Sequence, residues 1–384
     1  MLGLTNRTTL DTTRSAITAA LVVTLAMLLF GAAPAMAAIV VDQNTAIGAP
    51  SCTGATTSYN TIQSAVSAAP SGATIQICPG NYAEQVVIAT SLTLKGVTDT
   101  TDNAGAAVVV VPSTFTGGQF TQIDIQASGV TLVNIGVDGT NTLSSCDSGP
   151  TITGILFDAG SSGTLKEVAL RNHNISNGGG GYCNSGTPVL SNSASSVTIA
   201  DSSLRNFDSI GINLTTSSSI TVKTTTVAPV YVPSPLTSVI PNCVYANAPT
   251  VQVSSNTVSN CATGVEADTT VSGTVSSNTI VGYGTSSTGF GFLCFLNCTG
   301  ITVSGNQIFN TAIGASMKTV DETGSIIFDN NNIYGTATAV YLFFQPNNTV
   351  SNNTITDSGT GVYGVTGNTV TGNTYRTVTT LTQP

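Results

Sequence analysis

One short pattern recurs along most of this 384-residue chain and limits what the chain can fold into. It is an apolar residue, two small or polar residues, Asn, any residue, and a second apolar residue, as in Val253, Asn256 and Val258. The Asn position returns, at spacings of 22, 28, 25, 22 and 20 residues, at Asn278, Asn306, Asn331, Asn353 and Asn373. A repeat of this length indicates a solenoid, in which each repeat forms one coil.

The same frame continues towards the N-terminus with other residues in the Asn position, namely Thr225, Ser202, Val168 and Ile135. Alternating apolar residues, abundant Thr and Val, and Asn or Gly between the segments predict short strands joined by tight turns. We therefore predict an all-β protein, a single parallel β-helix of about 10–12 coils that lie about 4.8 Å apart.

The Asn column is interpreted as part of the scaffold rather than as a binding site. Asn tolerates the left-handed backbone conformation, and its side-chain amide can bond to the neighbouring coil. We expect these residues to stack into a ladder inside one turn of the solenoid.

Composition agrees with a solenoid and excludes several other classes. The chain has 41% hydrophobic but only 7% charged residues, one His, no Trp and a formal net charge of −9. A disordered chain would carry more charge, and an acidic chain with few cations does not suit nucleic acid. After the leader, no apolar run is long enough to span a bilayer, so no membrane insertion is expected once the leader is removed.

Residues 1–37 have the pattern of a signal peptide. Arg7 and Arg14 supply positive charge, residues 16–30 are apolar, and Ala35, Met36 and Ala37 form a cleavage site. The alternative is an uncleaved signal anchor. We expect a monomer that is secreted or held in the periplasm or at the cell surface.

All eight cysteines follow the leader, and an even number in an exported chain predicts disulfides. Eight cysteines allow 105 connectivities. We expect sequential pairing, that is Cys52–Cys78, Cys146–Cys183, Cys243–Cys261 and Cys294–Cys298. With one His and wide Cys spacing, a zinc site is disfavoured.

Residues 38–74 are predicted as a lead-in with a short N-terminal capping α-helix, and residues 75–384 as the β-helix. Asn60–Gln63 resembles a capping box, apolar residues follow at helical spacing, and Pro70 ends the run. Such a helix would cover strand edges at the end of the solenoid.

The run from Tyr59 to Val97 resembles the opening of right-handed parallel β-helix proteins of the pectin-lyase-like superfamily, including a G-x-Y-x-E motif at Gly80, Tyr82 and Glu84. The resemblance implies a right-handed β-helix but does not choose a reaction. The motifs of polygalacturonases, methylesterases and alginate epimerases are absent apart from G-x-Y-x-E. Pectate-lyase-like chemistry needs only acidic residues that hold Ca²⁺ and one basic residue.

Coil length indicates where a site would lie. Spacings between Ile135 and Asn256 are 33, 34, 23 and 31 residues, and the additional residues fall in three loops, Gly139–Pro150, Gly178–Pro188 and Ala228–Pro249. Loops on a rigid scaffold commonly carry binding residues.

Three charged residues each lie three positions after the Asn position in three successive coils: Asp138, Arg171 and Arg205. This spacing predicts that they form a column with one residue per coil. Two Arg can pair with uronate carboxylates, and Asp138 can bind Ca²⁺, the candidate metal. One hypothesis is therefore a uronan lyase acting by β-elimination. Its proposed catalytic residues are Arg171, Arg205 and His173, and its proposed substrate-binding residues are Asn172, Asn206 and Asp208. The alternative for the column is a surface ladder of Asp and Arg.

A weaker candidate for Ca²⁺ is the pair Glu266 and Asp268, which we expect to be solvated. The alternative function is a non-catalytic adhesive or structural β-solenoid at the cell surface. Taken together, the sequence favours a secreted β-helix that interacts with extracellular polysaccharide.

Overall fold

The structure, a computed structural model, describes residues 38–97, 107–115, 118–147, 149–178, 182–230, 241–283, 289–317, 325–343 and 346–384. Ile39–Pro384 forms one compact unit. The predicted signal peptide, residues 1–37, lies outside the described residues.

Each regular coil contributes one strand to each of three faces, and strands of neighbouring coils pair in parallel. Face 1 contains β1 (Ile39–Val41), β2 (Ala73–Ile77), β5 (Leu92–Gly96), β8 (Val130–Val133), β11 (Ser162–Lys166), β14 (Ala194–Ala200), the end of β16 (Ile210–Lys223), β19 (Thr250–Ser254), β22 (Ser272–Ser276), β25 (Thr299–Ser304), β28 (Ser325–Asp329), β31 (Thr349–Ser351) and β34 (Thr369–Thr371).

Face 2 contains β3 (Gly80–Ala83), β6 (Ala107–Val110), β9 (Ile135–Asp138), β12 (Ala169–Arg171), β15 (Ser203–Arg205), β17 (Thr226–Ala228), β20 (Thr257–Cys261), β23 (Thr279–Gly282), β26 (Gln307–Phe309), β29 (Asn332–Tyr334), β32 (Thr354–Thr356) and β35 (Thr374–Arg376).

Face 3 contains β4 (Val86–Ile88), β7 (Gln119–Ile125), β10 (Thr151–Phe157), β13 (Gly186–Ser191), the start of β16, β18 (Asn242–Asn247), β21 (Thr263–Asp268), β24 (Phe290–Cys294), β27 (Ile313–Met317), β30 (Thr338–Leu342), β33 (Thr360–Tyr363) and β36 (Thr380–Gln383). The long strand β16 joins faces 1 and 3 into one sheet of 24 strands.

The predicted right-handed parallel β-helix is confirmed, and the twelve described strands of face 2 agree with the expected number of coils. The repeat frame also holds residue by residue. Val303 pairs with Val275 and Phe328 on face 1, and all three side chains are buried. Apolar residues of every face therefore point into a continuous core, and each large side chain that is fully buried contributes about 1.5–3 kcal/mol.

The Asn column forms the predicted ladder. Asn278 Nδ2 donates to Asn306 Oδ1 at 2.9 Å, and the Asn278 backbone N–H donates to the same oxygen at 3.0 Å. Asn278 Nδ2 also donates to Val253 O at 2.9 Å. The same contacts continue to Asn373, and towards the N-terminus the Thr225 backbone N–H donates to Asn256 Oδ1 at 2.9 Å. These buried amides satisfy the backbone where the chain turns between faces 1 and 2.

One detail of the ladder prediction is wrong. The left-handed backbone conformation belongs to the residue before the Asn position, for example Ser277 (φ 56°), Asn330 (φ 55°) and Gly305 (φ 65°). None of the ladder Asn residues has a positive φ. The side chain can point inward because the residue before it makes the sharp turn.

The one helix of the described residues, α1 (Ile62–Ala68), packs Ile62, Ala65 and Val66 towards the core. Its N-cap is Thr61 rather than Asn60, whose side chain instead donates to Asp42 O and Thr45 O. Both carboxylate oxygens of Glu84 accept backbone N–H groups of the first helical turn at 2.8 Å. Within the G-x-Y-x-E motif, Glu84 therefore supports the fold, and Tyr82 does so through its hydroxyl, which donates to Cys78 O at 2.9 Å. The predicted lead-in also contributes β1, which pairs with β2.

The predicted sequential disulfide pairing is confirmed for all eight cysteines: Cys52–Cys78, Cys146–Cys183, Cys243–Cys261 and Cys294–Cys298. Each bridge closes a short section of chain, between 4 and 37 residues in sequence separation.

Candidate functional site

The predicted column of Asp138, Arg171 and Arg205 is present at the ends of three consecutive face-2 strands. Arg171 is the register partner of Asp138 on one side and of Arg205 on the other. The next residue in the column is Ala228, so the charged part of the column ends there.

The Asp138 carboxylate accepts four hydrogen bonds. Oδ1 accepts from the Thr140 backbone N–H at 2.9 Å, the Thr140 hydroxyl at 2.6 Å and Asn172 Nδ2 at 3.0 Å. Oδ2 accepts from Arg171 Nε at 2.7 Å. Burial alone would raise the Asp138 pKa, but these hydrogen bonds favour the charged form more strongly and lower the pKa below its ordinary value. A Ca²⁺ ion at this carboxylate would have to displace these donors.

Arg171 is partly exposed and uses only its Nε atom in this contact. Within the described residues, its two terminal nitrogens have no hydrogen-bond partner, so this edge of the guanidinium can bind a carboxylate from solution. Arg205 is exposed one coil further along.

Asn172 and Asn206 stack beside the column as predicted. Asn206 Nδ2 donates to Asn172 Oδ1 at 3.1 Å, and Asn172 Nδ2 donates to Asp138 and to the Thr140 hydroxyl. Both residues have left-handed backbones, with φ values of 61° and 55°. Asn suits this conformation better than other residues with side chains do, which explains its presence at this turn.

His173 points in the opposite direction from its two Asn neighbours and is 0% exposed. Its Nε2 lies 2.9 Å from Gln122 Oε1. The Gln122 amide donates to Val109 O and Asp138 O, so its oxygen is the acceptor and His173 Nε2 carries the proton. Burial lowers the His173 pKa to about 3, despite the opposing effect of Asp138. Nδ1 has no partner within the described residues.

The neighbouring coil makes room for this imidazole. A Cβ on Gly154 would lie 2.6 Å from His173 Nε2 and 2.6 Å from Pro188 O. A neutral, buried imidazole cannot reach a substrate outside the solenoid. The structure therefore gives no support to the predicted catalytic role of His173, because the ring faces the core.

Asp208, a predicted substrate-binding residue, is 4% exposed. Its carboxylate accepts backbone N–H groups of Ile175 at 3.1 Å and of Ser185 at 3.0 Å, and also that of Gly186. Asp208 therefore holds the two ends of the long loop that follows β12, and it has this structural task rather than an exposed position.

Beside the column lies a cavity of about 310 Å³, which we name the loop pocket. It is lined by Thr140, Asn141, Leu143, Asn172, Asn174 and Ser176. Asn141 Nδ2 donates to Asn174 O at 2.8 Å and thereby connects the loops on either side. The Cys146–Cys183 disulfide joins the same two loops further along. The pocket walls are thus fixed to each other covalently and by hydrogen bonds.

The loop pocket contains residues that the sequence did not identify. Coil length indicated the loop Gly139–Pro150, which supplies one wall, but the residues of the other wall precede the predicted loop Gly178–Pro188. Thr140, Asn141, Leu143 and Ser176 carry no motif. Gln122 was also missed, because it lies on β7, in the coil before the column. A buried polar residue in a strand, with its side chain bonded to two backbone carbonyls, is visible only in three dimensions.

The second acidic pair differs from its prediction. Asp268 is 2% exposed and accepts the backbone N–H groups of Phe295 and Leu296, both at 3.1 Å. Glu266 is half-buried, and burial together with the nearby Asp268 charge raises its pKa to about 7. The expectation that both residues are solvated is wrong, because the loop closed by Cys294–Cys298 covers Asp268.

In the described part of the chain, one group of three side chains has its possible ligand atoms close enough together to hold a metal ion: Asp42, Cys52 and Cys78. The two sulfurs of this group are already joined in a disulfide. In the same residues, no helix has the length and apolar character needed to cross a membrane.

A family model described as periplasmic copper-binding protein (NosD) matches residues 218–379, which is less than half of the chain. A search of curated proteins finds no match.

Several solved structures are similar in fold. A DFA-IIIase mutant from Arthrobacter chlorophenolicus has a TM-score of 0.51 at 14% identity, covering 88% of this chain and 84% of that one. PfbA, a surface adhesin of Streptococcus pneumoniae, has a TM-score of 0.47 at 12% identity, covering 90% and 93%. The mannuronan C-5 epimerase module of Azotobacter vinelandii has a TM-score of 0.37 at 13% identity, covering 82% and 89%. At these identities the DFA-IIIase likeness shows the β-helix fold and leaves the reaction open.

Proposed function

We propose that this protein binds an extracellular polysaccharide in the loop pocket, with a preference for chains that contain uronate. The observation that carries the proposal is the pocket itself, about 310 Å³, at the lower end of the range of roughly 300–1,000 Å³ for small-molecule sites. Its amide and hydroxyl groups match the donors and acceptors of sugar hydroxyls, and Leu143 offers an apolar contact for a sugar face.

The preference for uronate rests on Arg171. Asn172 is a wall of the pocket, and Arg171 precedes it with two terminal nitrogens that bind no described residue. Asp138 holds the guanidinium from one side and so reduces the entropy that would be lost on binding a carboxylate. Arg205 adds a second positive charge one coil away.

β-Elimination on a uronan is a second candidate function, favoured by the exposed position of Arg205 in this column. His173 is buried and Arg171 is only partly exposed, so this candidate would use the exposed Arg205 as base. Both functions suit an exported protein, and its four disulfides support a location in the periplasm, at the cell surface or outside the cell.

Binding is tested with the mature chain and a panel of polygalacturonate, alginate and neutral glucans, by calorimetry and affinity electrophoresis. Unsaturated products are followed by absorbance. Binding without turnover supports a glycan-binding solenoid, turnover supports the lyase, and the absence of both for every glycan would refute the proposal.

Asn172→Gly is the most informative variant, because Gly accepts the left-handed backbone while the amide is lost. We expect glycan binding to weaken at least tenfold. Asn352→Gly is the matched control: Asn352 has a φ of 55° and donates to Asp329, away from the loop pocket. Arg171→Ala with Arg205→Ala should remove the preference for uronate chains and leave neutral glycans unaffected.

A further inference from the structure

We infer that the coils matching the copper-binding family model do not bind copper in this protein, and that the residues able to ligate copper there serve the scaffold instead. Because the matching family is described as copper-binding, a copper site would be expected within residues 218–379. The side chains of this chain can be tested against it, one class of donor after another.

The imidazole and thioether groups of this chain cannot form a copper site in this stretch. The stretch contains no His, and the single His of the chain, His173, lies before it with its ring inside the core. The stretch contains one Met, Met317, which is 0% exposed and packs in the core. Soft thioether and imidazole groups are the usual ligands of copper, together with thiolates.

Thiolate donors do not fit either. The four cysteines of the stretch are paired as Cys243–Cys261 and Cys294–Cys298. A sulfur in a disulfide is not a thiolate, and copper binding requires the deprotonated thiol. The Cys294–Cys298 bridge also closes the turn whose backbone N–H groups bind Asp268.

Carboxylates remain, and those of the described residues in this stretch are Glu266, Asp268, Asp329 and Asp357. Asp357 forms a hydrogen bond with the Tyr334 side chain. Asp268 accepts two backbone N–H groups, and Asp329 Oδ1 accepts from Ser351 and Asn352 at 2.7 and 2.8 Å. Glu266 is half-buried, and because Asp268 beside it already binds the Phe295 and Leu296 N–H groups, Glu266 offers a metal only a single carboxylate. Asp321 and Glu322 lie outside the described residues.

The test is copper retention by the mature, disulfide-bonded chain. Cu²⁺ is offered with excess glycine, Cu⁺ is offered as its bathocuproine disulfonate complex, and bound metal is measured after gel filtration. We expect less than 0.1 Cu per chain in both cases. About one Cu per chain in either case would overturn the inference.

A positive control comes from the register of face 2. Thr279, Gln307 and Asn332 are partners on adjacent coils and point outward, about 5 Å apart. The triple variant Thr279→His, Gln307→His, Asn332→His places three imidazoles in one column and should retain about one Cu²⁺ per chain. If circular dichroism shows that the triple variant does not fold, the double variant Gln307→His, Asn332→His replaces it as the positive control. Copper in the variants alone supports the inference, and equal copper in wild type contradicts it.

Discussion

Arg171 Nε lies 2.7 Å from Asp138 Oδ2, although 33 residues separate the two in sequence. The two residues are register partners on adjacent coils, so the winding of the solenoid brings them together. The same carboxylate holds Thr140 and Asn172, both of which line the loop pocket. One partly buried negative charge thus connects the scaffold to the candidate site.

Asp138→Asn should lower the free energy of unfolding by about 2 kcal/mol at pH 7, because Asn accepts fewer hydrogen bonds and does not pair with Arg171. The folded-state pKa of Asp138 is lowered, so its contribution is full above its ordinary pKa and is lost as pH falls through the folded value. The difference between variant and wild type should therefore shrink below about pH 3.8. Urea unfolding at several pH values measures it.

Asp201→Asn is the control for this prediction. Asp201 is an exposed acid with a left-handed backbone at another turn, and Asn accepts that conformation. If Asp201→Asn lowered the free energy of unfolding as much as Asp138→Asn does, the role given to the Asp138 hydrogen bonds would be contradicted.

Asn306→Ala should cost about 2–4 kcal/mol, because it removes the acceptor of two N–H groups of Asn278 and leaves them buried. It also removes the donor to Val275 O. Chemical denaturation of the variant is compared with that of Asn332→Ala, an exposed Asn on β29 outside the ladder. Equal stability of the two variants would show that the ladder adds nothing to the fold.

The repeat frame predicted the fold because every coil must bury apolar side chains at the same positions of the repeat. Apolar residues such as Val303 and Ile308 face the core. Their positions in each repeat set the register between coils, and this register places Arg171 beside Asp138. The direction of His173 was not predictable in the same way. It depends on Gln122, 51 residues earlier, and on the space left by Gly154. Coil length predicted the loop that carries one wall of the loop pocket, but the complete lining depends on loop conformations that follow no period.

His173 should make the protein less stable in mild acid. Its pKa is about 3 in the folded state and about 6.5 when unfolded, so its neutral form is favoured by folding. Stability from this group is full above pH 6.5 and is lost as pH falls, by about 2 kcal/mol at pH 5.

His173→Phe copies Phe207, the buried residue at the same position of the next coil. It should abolish the acid-dependent difference between pH 7.5 and pH 5, while leaving Gln122 without its donor at both pH values. Thermal unfolding at the two pH values measures the effect. An unchanged pH dependence in the variant would mean that other groups cause it.

Loss of the Cys146–Cys183 bridge should affect both stability and binding. In the chain-entropy model, a loop of 37 residues contributes about 4 kcal/mol, against about 2 kcal/mol for the 4-residue separation of Cys294–Cys298. We expect the double variant Cys146→Ser, Cys183→Ser to lose more stability than the double variant Cys294→Ser, Cys298→Ser. Only the first pair should weaken glycan binding, because it joins the walls of the loop pocket. Calorimetry with polygalacturonate and denaturant unfolding separate the two effects.

Glu266→Gln should stabilise the protein at alkaline pH and change little in acid. The folded pKa of Glu266 is raised to about 7, because burial and the Asp268 charge disfavour the carboxylate. The proton is therefore held more tightly in the folded state, so this group's contribution is present below the unfolded pKa of about 4.5 and is lost as pH rises through 7. We expect a higher melting temperature than wild type at pH 8.5 and equal melting temperatures at pH 4.5. Glu167→Gln, which lies beside Lys166 on the surface, is the control, and a gain there at pH 8.5 would remove Glu266 as the cause.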